Sequence, residues 1–272
     1  MEMDIVRADP AGNITIFVLG LPGGMDRAAA ARALLADPGL KAEQVGFALP
    51  PSKPGGLWRL EMAGGEFCGN ASRGFGLLVA ARTGLSGRHS LMIETSGVTR
   101  PLPVHIDTEA GTAEIEMPPP LAQTSVSLEG RRCPVYEFEG ITHAIAENIQ
   151  PDERVARSII GKLGEGSLAE GKRPSGALGV MFYDSRKRFM RPFVWTRELD
   201  ALVAESSCGS GSAALGAWAA RNAADAELEI DLEQPGGTIT VRVAKRAGKI
   251  TRLSIGGKVT LSNILTKIYC EI

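Results

Sequence analysis

The chain has 272 residues, of which 44% are apolar and 22% are charged, and its formal net charge is −1. This length can bury a substantial core in one large domain or two ordinary ones, and we favour two. The near-neutral charge argues against proteins that bind nucleic acid or an anionic membrane through a basic surface. The expected partners are therefore a small molecule and a second copy of the chain.

The start of the chain and its cysteines indicate the compartment. MEMDIVRADP carries acidic residues where a signal peptide would be basic and then apolar, and no segment approaches the roughly 20 apolar residues of a membrane span. The cysteines show no close pairing along the chain (Cys68, Cys133, Cys208 and Cys270). We therefore predict a cytoplasmic protein with reduced thiols and no membrane partner.

The first half predicts alternating strands and helices before the PPP sequence at 118–120, where we place a domain boundary. An alanine-rich helix is predicted over 25–37, and a mostly apolar, hence buried, helix over 71–84. Strands are predicted where β-branched, aromatic or alternating apolar residues concentrate, namely at NITIFVL, LWRLEMA, SLMIETSG and TAEIEMP.

The second half repeats this plan. A helix is predicted over 151–163, then a flexible loop over 164–177, and later an apolar helix over 212–223. Strands are predicted at ITHAIAE, LGVMFYD, RPFVWT, ELEIDLE and TITVRVA. Many strands with one buried helix in each half indicate an α+β fold.

Identities at one constant shift indicate that the two halves are related. Cys208 follows Cys68 by 140 positions, within the glycine-rich segments EFCGNASRGFG and SSCGSGSAALG. Further pairs at this shift are Gly69 and Gly209, Ser72 and Ser212, Gly76 and Gly216, and Gly97 and Gly237. We infer an internal duplication. A pseudo-twofold relation between the halves would place two equivalent helix starts across one cleft.

The expected domains follow from this duplication. Residues 1–118 form the first, with the C-terminal strand 262–272 as an optional addition, and residues 119–261 form the second.

The two cysteine segments suggest acid–base chemistry at one carbon atom. A cysteine at a helix start lies beside unpaired N–H groups and the positive end of the helix dipole, which stabilise a thiolate. The glycine after each cysteine lets a carboxylate approach these N–H groups. The predicted anion cradle consists of Gly69, Asn70, Gly209 and Ser210.

Two such thiols would invert an amino acid at its α-carbon. One, as thiolate, removes the α-proton from one face, and the other, as thiol, delivers a proton to the opposite face. Cys68 and Cys208 are therefore the predicted catalytic residues. This chemistry requires no cofactor, and the sequence contains no convincing cofactor motif.

At these residues the chain resembles the cofactor-independent racemases and epimerases of the diaminopimelate epimerase and proline racemase superfamily. EFCGNASR and SCGSGSA resemble the two cysteine motifs of diaminopimelate epimerases, and PAGN resembles their substrate-contacting asparagine segment. The resemblance covers nearly the whole chain. It implies a homodimer whose two pseudo-symmetric domains each wrap an antiparallel sheet or barrel around a central helix.

The substrate expected from the resemblance is histidine. Diaminopimelate epimerases hold the distal groups of their substrate with an ERG segment before the second cysteine, but no arginine lies beside Leu199 and Asp200 here. A distal carboxylate would bind poorly without that bidentate clamp. The chain is more similar to histidine racemases that supply opine metallophore synthesis, through GNITIFV, EQVGF, GEFCGN, Glu198, ESSCGSG and QPGG. A diaminopimelate epimerase is the alternative.

The histidine racemase resemblance implies that Glu43 contacts the imidazole, because a carboxylate accepts the ring N–H and favours the charged ring. Asn13 would contact the substrate from the opposite wall, and Glu205 would line the pocket. The alternative for Asn13 and Glu43 is turn formation or solvation, and for Glu205 and Glu198 an exposed charge.

Two other readings remain open. GSGSAA at 209–214 fits G-x-G-x-x-A and is followed by Glu229 and Asp231, as in a nicotinamide dinucleotide site. However, LVAESSC is a poor buried strand and the equivalent CGNASR lacks the second glycine, so this is a remote alternative. A noncatalytic binding protein is a third, which the retention of both cysteines disfavours. The histidines (His89, His105 and His143) lack ligand spacing, so we expect no metal site.

Overall fold

The computed structural model describes residues 2–20, 26–51, 54–169, 176–197 and 200–268. The chain divides into two compact units, of which the first comprises Met1–Glu116 together with Gly256–Ile272 and the second comprises Met117–Ile255. Both units combine strands with helices, so the fold is mixed α and β. Within the described ranges no helix is both long enough and apolar enough to cross a membrane.

The first unit pairs its N-terminal strand with the end of the chain. Its elements are β1 (Glu2–Asp9), β2 (Thr15–Val18), α1 (Arg27–Ala36), β3 (Gln44–Leu49), β4 (Trp58–Met62), α2 (Gly69–Thr83), β5 (Arg88–Thr95), β6 (Leu102–Asp107), β7 (Thr112–Glu116), β17 (Thr260–Leu261) and β18 (Leu265–Ile268). Strand β1 is antiparallel to β2, β17 and β18. Pairing continues from β2 to β7 and is parallel at β2–β3 and β4–β5.

The second unit follows the same plan. Its elements are β8 (Ala122–Leu128), β9 (Arg131–Phe138), β10 (Ile141–Glu147), α3 (Glu153–Ala169), β11 (Ala177–Asp184), β12 (Phe189–Thr196), β13 (Ala201–Ala204), α4 (Gly209–Ala219), β14 (Ala226–Gln234), β15 (Gly237–Arg246) and most of β16 (Lys249–Lys258). Pairing is parallel at β10–β11 and at one residue pair of β12–β14. It is antiparallel at β8–β9, β9–β10, β11–β12, β12–β13 and β14–β15.

The sheets are therefore mixed, whereas antiparallel sheets were expected. The reason is that each helix lies in the chain between two strands that pair in parallel, and a parallel connection has to return the chain to the same end of the sheet. Both units repeat this order twice, with α1 and α2 in the first and α3 and α4 in the second. The repetition agrees with the duplication inferred from the 140-residue shift.

The apolar helices α2 and α4 are buried, as the sequence predicts. In α2 all residues from Gly69 to Ala80 are buried, and α4 is buried over most of its length. Two glycines permit close packing on the sheet. A Cβ added to Gly76 would lie 2.5 Å from Val104 Cγ1, and one added to Gly216 would lie 2.5 Å from a Cγ1 atom of β15. Each buried helix thus approaches its sheet closely.

Helix α3 is longer than predicted. It extends to Ala169, although a loop was expected from residue 164 onward. Its buried residues Ile159 and Leu163 belong to the apolar core of the second unit. That packing outweighs the low helix propensity of the glycines, as tertiary contacts commonly do. Residues 170–175 of the expected loop lie outside the described residues.

Candidate active site

Cys68 is the residue that begins helix α2. It occupies the N-cap with an extended backbone (φ −124°, ψ 110°), and its Sγ accepts a hydrogen bond from the Ala71 N–H at 3.4 Å. The thiol also donates to Gln44 Oε1 in β3 at 3.0 Å. The sulfur therefore lies at the positive end of a buried helix, where a thiolate is stabilised.

The turn after β5 holds the segment that leads into Cys68. Gly97 has a φ of 76°, and a Cβ at this position would lie 2.2 Å from the backbone nitrogen of Phe67. The Ser96 hydroxyl donates to the carbonyl of Glu66 at 2.8 Å. The close backbone approach requires glycine at position 97. It fixes the path of the chain immediately before the helix start.

Four side chains of the first unit form one hydrogen-bonded chain, which we call the amide chain: Glu43, Asn13, Asn70 and Arg73. Arg73 Nε donates to Asn70 Oδ1 at 3.2 Å, and Asn70 Nδ2 donates to Asn13 Oδ1 at 3.4 Å. Asn13 Nδ2 in turn donates to Glu43 Oε2 at 2.8 Å. A guanidinium only donates and a carboxylate only accepts, so the two ends fix the orientation of both amides.

Arg73 is a fully buried cation at 0% exposure. Burial lowers the pKa of its guanidinium to about 10, and the charge of Cys68 opposes that shift. Its Nη1 donates to the carbonyl of Lys258 at 3.2 Å, whereas Nη2 has no hydrogen-bond partner in the part of the chain that the structure describes. A buried positive charge near Cys68 favours the thiolate of that residue.

Cys208 begins helix α4 in the second unit with the same local geometry. Its backbone is extended (φ −129°, ψ 113°), and its Sγ accepts a hydrogen bond from the Gly211 N–H at 3.4 Å. Gln234 Oε1, at the end of β14, accepts the Cys208 N–H at 2.9 Å, and Gln234 Nε2 donates to Ser212 Oγ at 3.0 Å. The Ser212 hydroxyl closes this ring by donating to the Cys208 carbonyl at 2.7 Å.

Opposing influences act on the thiol of Cys208. Burial raises its pKa well above the usual value, and the negative charge of Glu205 raises it further. Hydrogen bonds from the Ser210 hydroxyl, at 3.6 Å from Sγ, and from the Gly211 N–H lower this pKa. Glu205, predicted as a pocket residue, therefore acts directly on the second sulfur.

Ser210 also contacts a histidine. Its Oγ lies 2.8 Å from Nε2 of His143, which belongs to β10. His143 is fully buried at 0% exposure, and burial lowers the pKa of its imidazole to about 3. The ring is therefore neutral near pH 7.

The predicted site residues fall into two groups, one at the start of each buried helix. Gly69 and Asn70 are the first two residues of α2, and Gly209 and Ser210 are the first two of α4. Asn13 and Glu43 join the first group through the amide chain, and Glu205 joins the second. Glu198 lies outside the described residues. No group of three or more His, Cys, Asp or Glu able to hold a metal ion occurs within those described.

Sequence reasoning assigned no role to four residues of these groups: Gln44, Arg73, His143 and Gln234. Three of them lie inside the motifs EQVGF, EFCGNASR and QPGG, so the signal was present. His143 gave no such signal, because an isolated histidine in an apolar strand is most often a surface or core residue.

Comparison with known proteins supports the resemblance inferred from the cysteine motifs. A family model described as the histidine racemase CntK N-terminal domain matches residues 2–264. A histidine racemase of Fusobacterium nucleatum subsp. nucleatum (strain ATCC 23726 / VPI 4351) is 32% identical over 220 residues, which cover 79% of this chain and 80% of that protein. A histidine racemase of Staphylococcus aureus (strain Mu50 / ATCC 700699) is 26% identical over 264 residues, 95% of this chain and 94% of that protein.

Solved structures of low identity share the fold. A hydroxyproline epimerase from Agrobacterium vitis with bound trans-4-hydroxy-L-proline has a TM-score of 0.67 at 13% identity, covering 97% of this chain and 92% of that chain. An epimerase structure from Pseudomonas aeruginosa has a TM-score of 0.67 at 14% identity, covering 99% and 100%. The family match includes both cysteine segments and all the predicted site residues. The chain therefore belongs to the histidine racemase family.

Proposed function

We propose that this chain inverts free histidine at the α-carbon without a cofactor, with Cys68 and Cys208 as a thiol and thiolate pair. The observation that carries the proposal is the identical placement of the two sulfurs. Each is the N-cap of a buried helix, with nearly the same backbone angles, and each accepts the N–H of the third residue onward at 3.4 Å. Two sulfurs in equivalent settings suit a reaction whose forward and reverse directions exchange the roles of acid and base.

The proposed reaction transfers one proton at each sulfur. The thiolate takes the α-proton and becomes a thiol, and the electron pair of the broken C–H bond is delocalised into the carboxylate. N–H groups at the helix starts stabilise this charge as it develops. The second thiol then gives its proton to the opposite face of the carbon and becomes the thiolate. The reverse reaction begins from that state.

The amide chain supports an imidazole as the substrate side chain. Arg73 at one end fixes the two amides so that Glu43 at the other end only accepts hydrogen bonds. An acceptor of full negative charge suits the N–H of an imidazole and favours its protonated form. Glu43 is therefore the residue that we propose to read the histidine ring.

The nicotinamide reading of GSGSAA has no support in the local structure. The strand before it, β13, is short, is partly exposed and pairs antiparallel with β12. A dinucleotide fold instead requires a buried parallel strand directly before the glycine-rich turn.

Isotope exchange tests the proposal. The pure protein is incubated in D2O with L-histidine and, separately, with LL-diaminopimelate, and α-deuterium uptake and chirality are followed. We expect D-histidine with deuterium at the α-carbon and no dependence on added pyridoxal phosphate or NAD. Turnover of diaminopimelate alone would overturn the substrate while sparing the mechanism.

Substitution of the cysteines tests the two-base step. Cys68→Ser and Cys208→Ser should each lower kcat/KM by about a thousandfold or more, because a hydroxyl is a far weaker base at neutral pH. Cys133→Ala is the matched control, since Cys133 is buried in the core of the second unit among apolar residues. Full activity after either serine exchange would refute catalysis by two thiols.

The family resemblance supports two further parts of the proposal. We propose that the active form is a homodimer, for which light scattering would give twice the chain mass of 28.7 kDa. We also propose that the D-histidine formed is a precursor for opine metallophore synthesis.

A further inference from the structure

Three contacts in the second unit connect a buried histidine to a proposed catalytic sulfur. The Oγ of Ser210 lies 2.8 Å from His143 Nε2 and 3.6 Å from Cys208 Sγ. Ser210 is the second residue of α4, and its position relative to Cys208 is fixed by the helix. The direction of the two hydrogen bonds depends on which ring nitrogen of His143 carries the proton.

The surroundings of the ring decide this tautomer. His143 is neutral, so one nitrogen carries a proton and the other a lone pair. Its Nδ1 has no hydrogen-bond partner among the described residues and faces Gly179 of β11, where an added Cβ would lie 2.2 Å from it. A buried N–H without an acceptor is rarer and more costly than a buried lone pair without a donor. The proton therefore belongs on Nε2, which donates it to Ser210.

We propose that His143 is a positioning residue that holds the Ser210 hydroxyl as a hydrogen-bond donor toward the sulfur of Cys208. With its oxygen occupied by the Nε2–H of His143, the serine directs its own proton to sulfur. A donor in this position stabilises the thiolate that Cys208 must form when it acts as the base. The inference rests on the proposed function, in which Cys208 is one of the two catalytic sulfurs.

The charges around Cys208 explain why such a donor is needed. Glu205 is the charged group that acts on this thiol, and both its charge and burial oppose ionisation. Ser210 and the Gly211 N–H are the groups that favour it. Around His143, burial alone lowers the pKa, and Phe138 of β9 packs against the ring with its centroid 6.2 Å away. No charge on these elements therefore counteracts the neutral state of the imidazole.

The pH profile of racemisation tests the role of His143. Cys208 is expected to ionise second, so loss of its thiolate donor should move the alkaline limb of kcat/KM upward. In His143→Phe and in Ser210→Ala we expect a shift of about one pH unit and a fall of about tenfold in kcat/KM. Because the two enantiomers of histidine are equally stable, the fall must be equal in both directions.

Rescue and coupling separate this role from a structural one. His143→Gln retains an N–H donor and should keep the alkaline limb within a few tenths of a unit of the wild type. The double variant of His143→Phe and Ser210→Ala should be no worse than either single variant, because both remove the same donor. His105→Phe, at an exposed histidine of β6, is the control and should leave the profile unchanged. Fully additive losses with an unmoved limb would overturn the inference.

A direct titration distinguishes failure of this inference from failure of the proposed function. In the Cys68→Ser background, the rate of iodoacetamide alkylation at Cys208 is followed against pH by peptide mass spectrometry. Addition of His143→Phe should raise the apparent pKa of Cys208, and addition of His143→Gln should not. An unchanged titration would overturn the role of His143 even if Cys208 proves essential. Full racemase activity of Cys208→Ser would instead refute the proposed function.

Discussion

Arg73 determines the direction of the hydrogen bonds that reach Glu43. Because its guanidinium can only donate, Asn70 presents its oxygen to Arg73 and its nitrogen to Asn13. Asn13 repeats that orientation toward Glu43. A buried cation at one end of the amide chain therefore sets the acceptor character of a carboxylate three side chains away.

Substitution of Glu43 tests this role at the residue scale. In Glu43→Gln the charge is lost while the shape is kept, so binding of the imidazole should weaken. We expect kcat/KM for histidine to fall by about tenfold and that for alanine to change much less. Glu94→Gln, at a partly exposed carboxylate of β5, is the control and should leave both values near those of the wild type. Equal losses for histidine and alanine would contradict ring recognition by Glu43.

The helix start is the element that the two units share. Each cysteine caps its helix through a sulfur that accepts an N–H, and each helix packs its glycine on a neighbouring strand. An N-cap with an acceptor side chain satisfies one of the N–H groups that a helix start leaves unpaired. The same group that begins the helix is thus the group proposed to carry the reaction.

Glycine substitutions test the packing of these helices. An alanine at Gly76 or Gly216 would place its Cβ 2.5 Å from a valine Cγ1, so we expect a loss of about 1–3 kcal/mol in the free energy of unfolding. The matched control is Gly161→Ala in α3, where an added Cβ would meet nothing within 4 Å. That change should raise the free energy of unfolding by up to about 1 kcal/mol. Urea denaturation measures all three, and a neutral Gly76→Ala would contradict the close approach.

At the scale of the whole molecule, the end of the chain completes the first unit. Strand β1 has β2 on one side and β17 and β18 on the other, with Ile5 opposite Leu265. Met3 and Ile5 are almost fully buried in this strand. Removal of the C-terminal strands would turn β1 into an unprotected edge.

Truncation after Val259 tests this dependence. Amides of β1 should exchange faster with D2O, and the free energy of unfolding should fall by more than the roughly 0.5 kcal/mol of an ordinary surface change. Amides of β14 and β15 in the second unit serve as the internal control and should exchange as in the full chain. Unchanged protection of β1 would show that the first unit does not need its C-terminal strands.

Much of the fold was accessible from the sequence, because its signals are local. The helix predicted over 71–84 was found as α2 from Gly69, and the segment ITHAIAE was found as β10 over the same residues. The parallel pairings were not predicted, since no local pattern states which strands become neighbours. Short strands such as β13 and β17 also gave no separate signal.

The sequence by itself determined the two cysteine segments, their 140-residue repeat and the family to which the chain belongs. These depend on residue identity and spacing along the chain, which need no folding to be read. Only the tertiary structure decided that Arg73, Asn70, Asn13 and Glu43 form one directed chain, and that His143 lies against Ser210 beside Cys208. Hydrogen bonds of a few ångströms between residues 30 to 67 positions apart arise from strand order and helix packing, which act through the whole fold rather than through neighbouring residues.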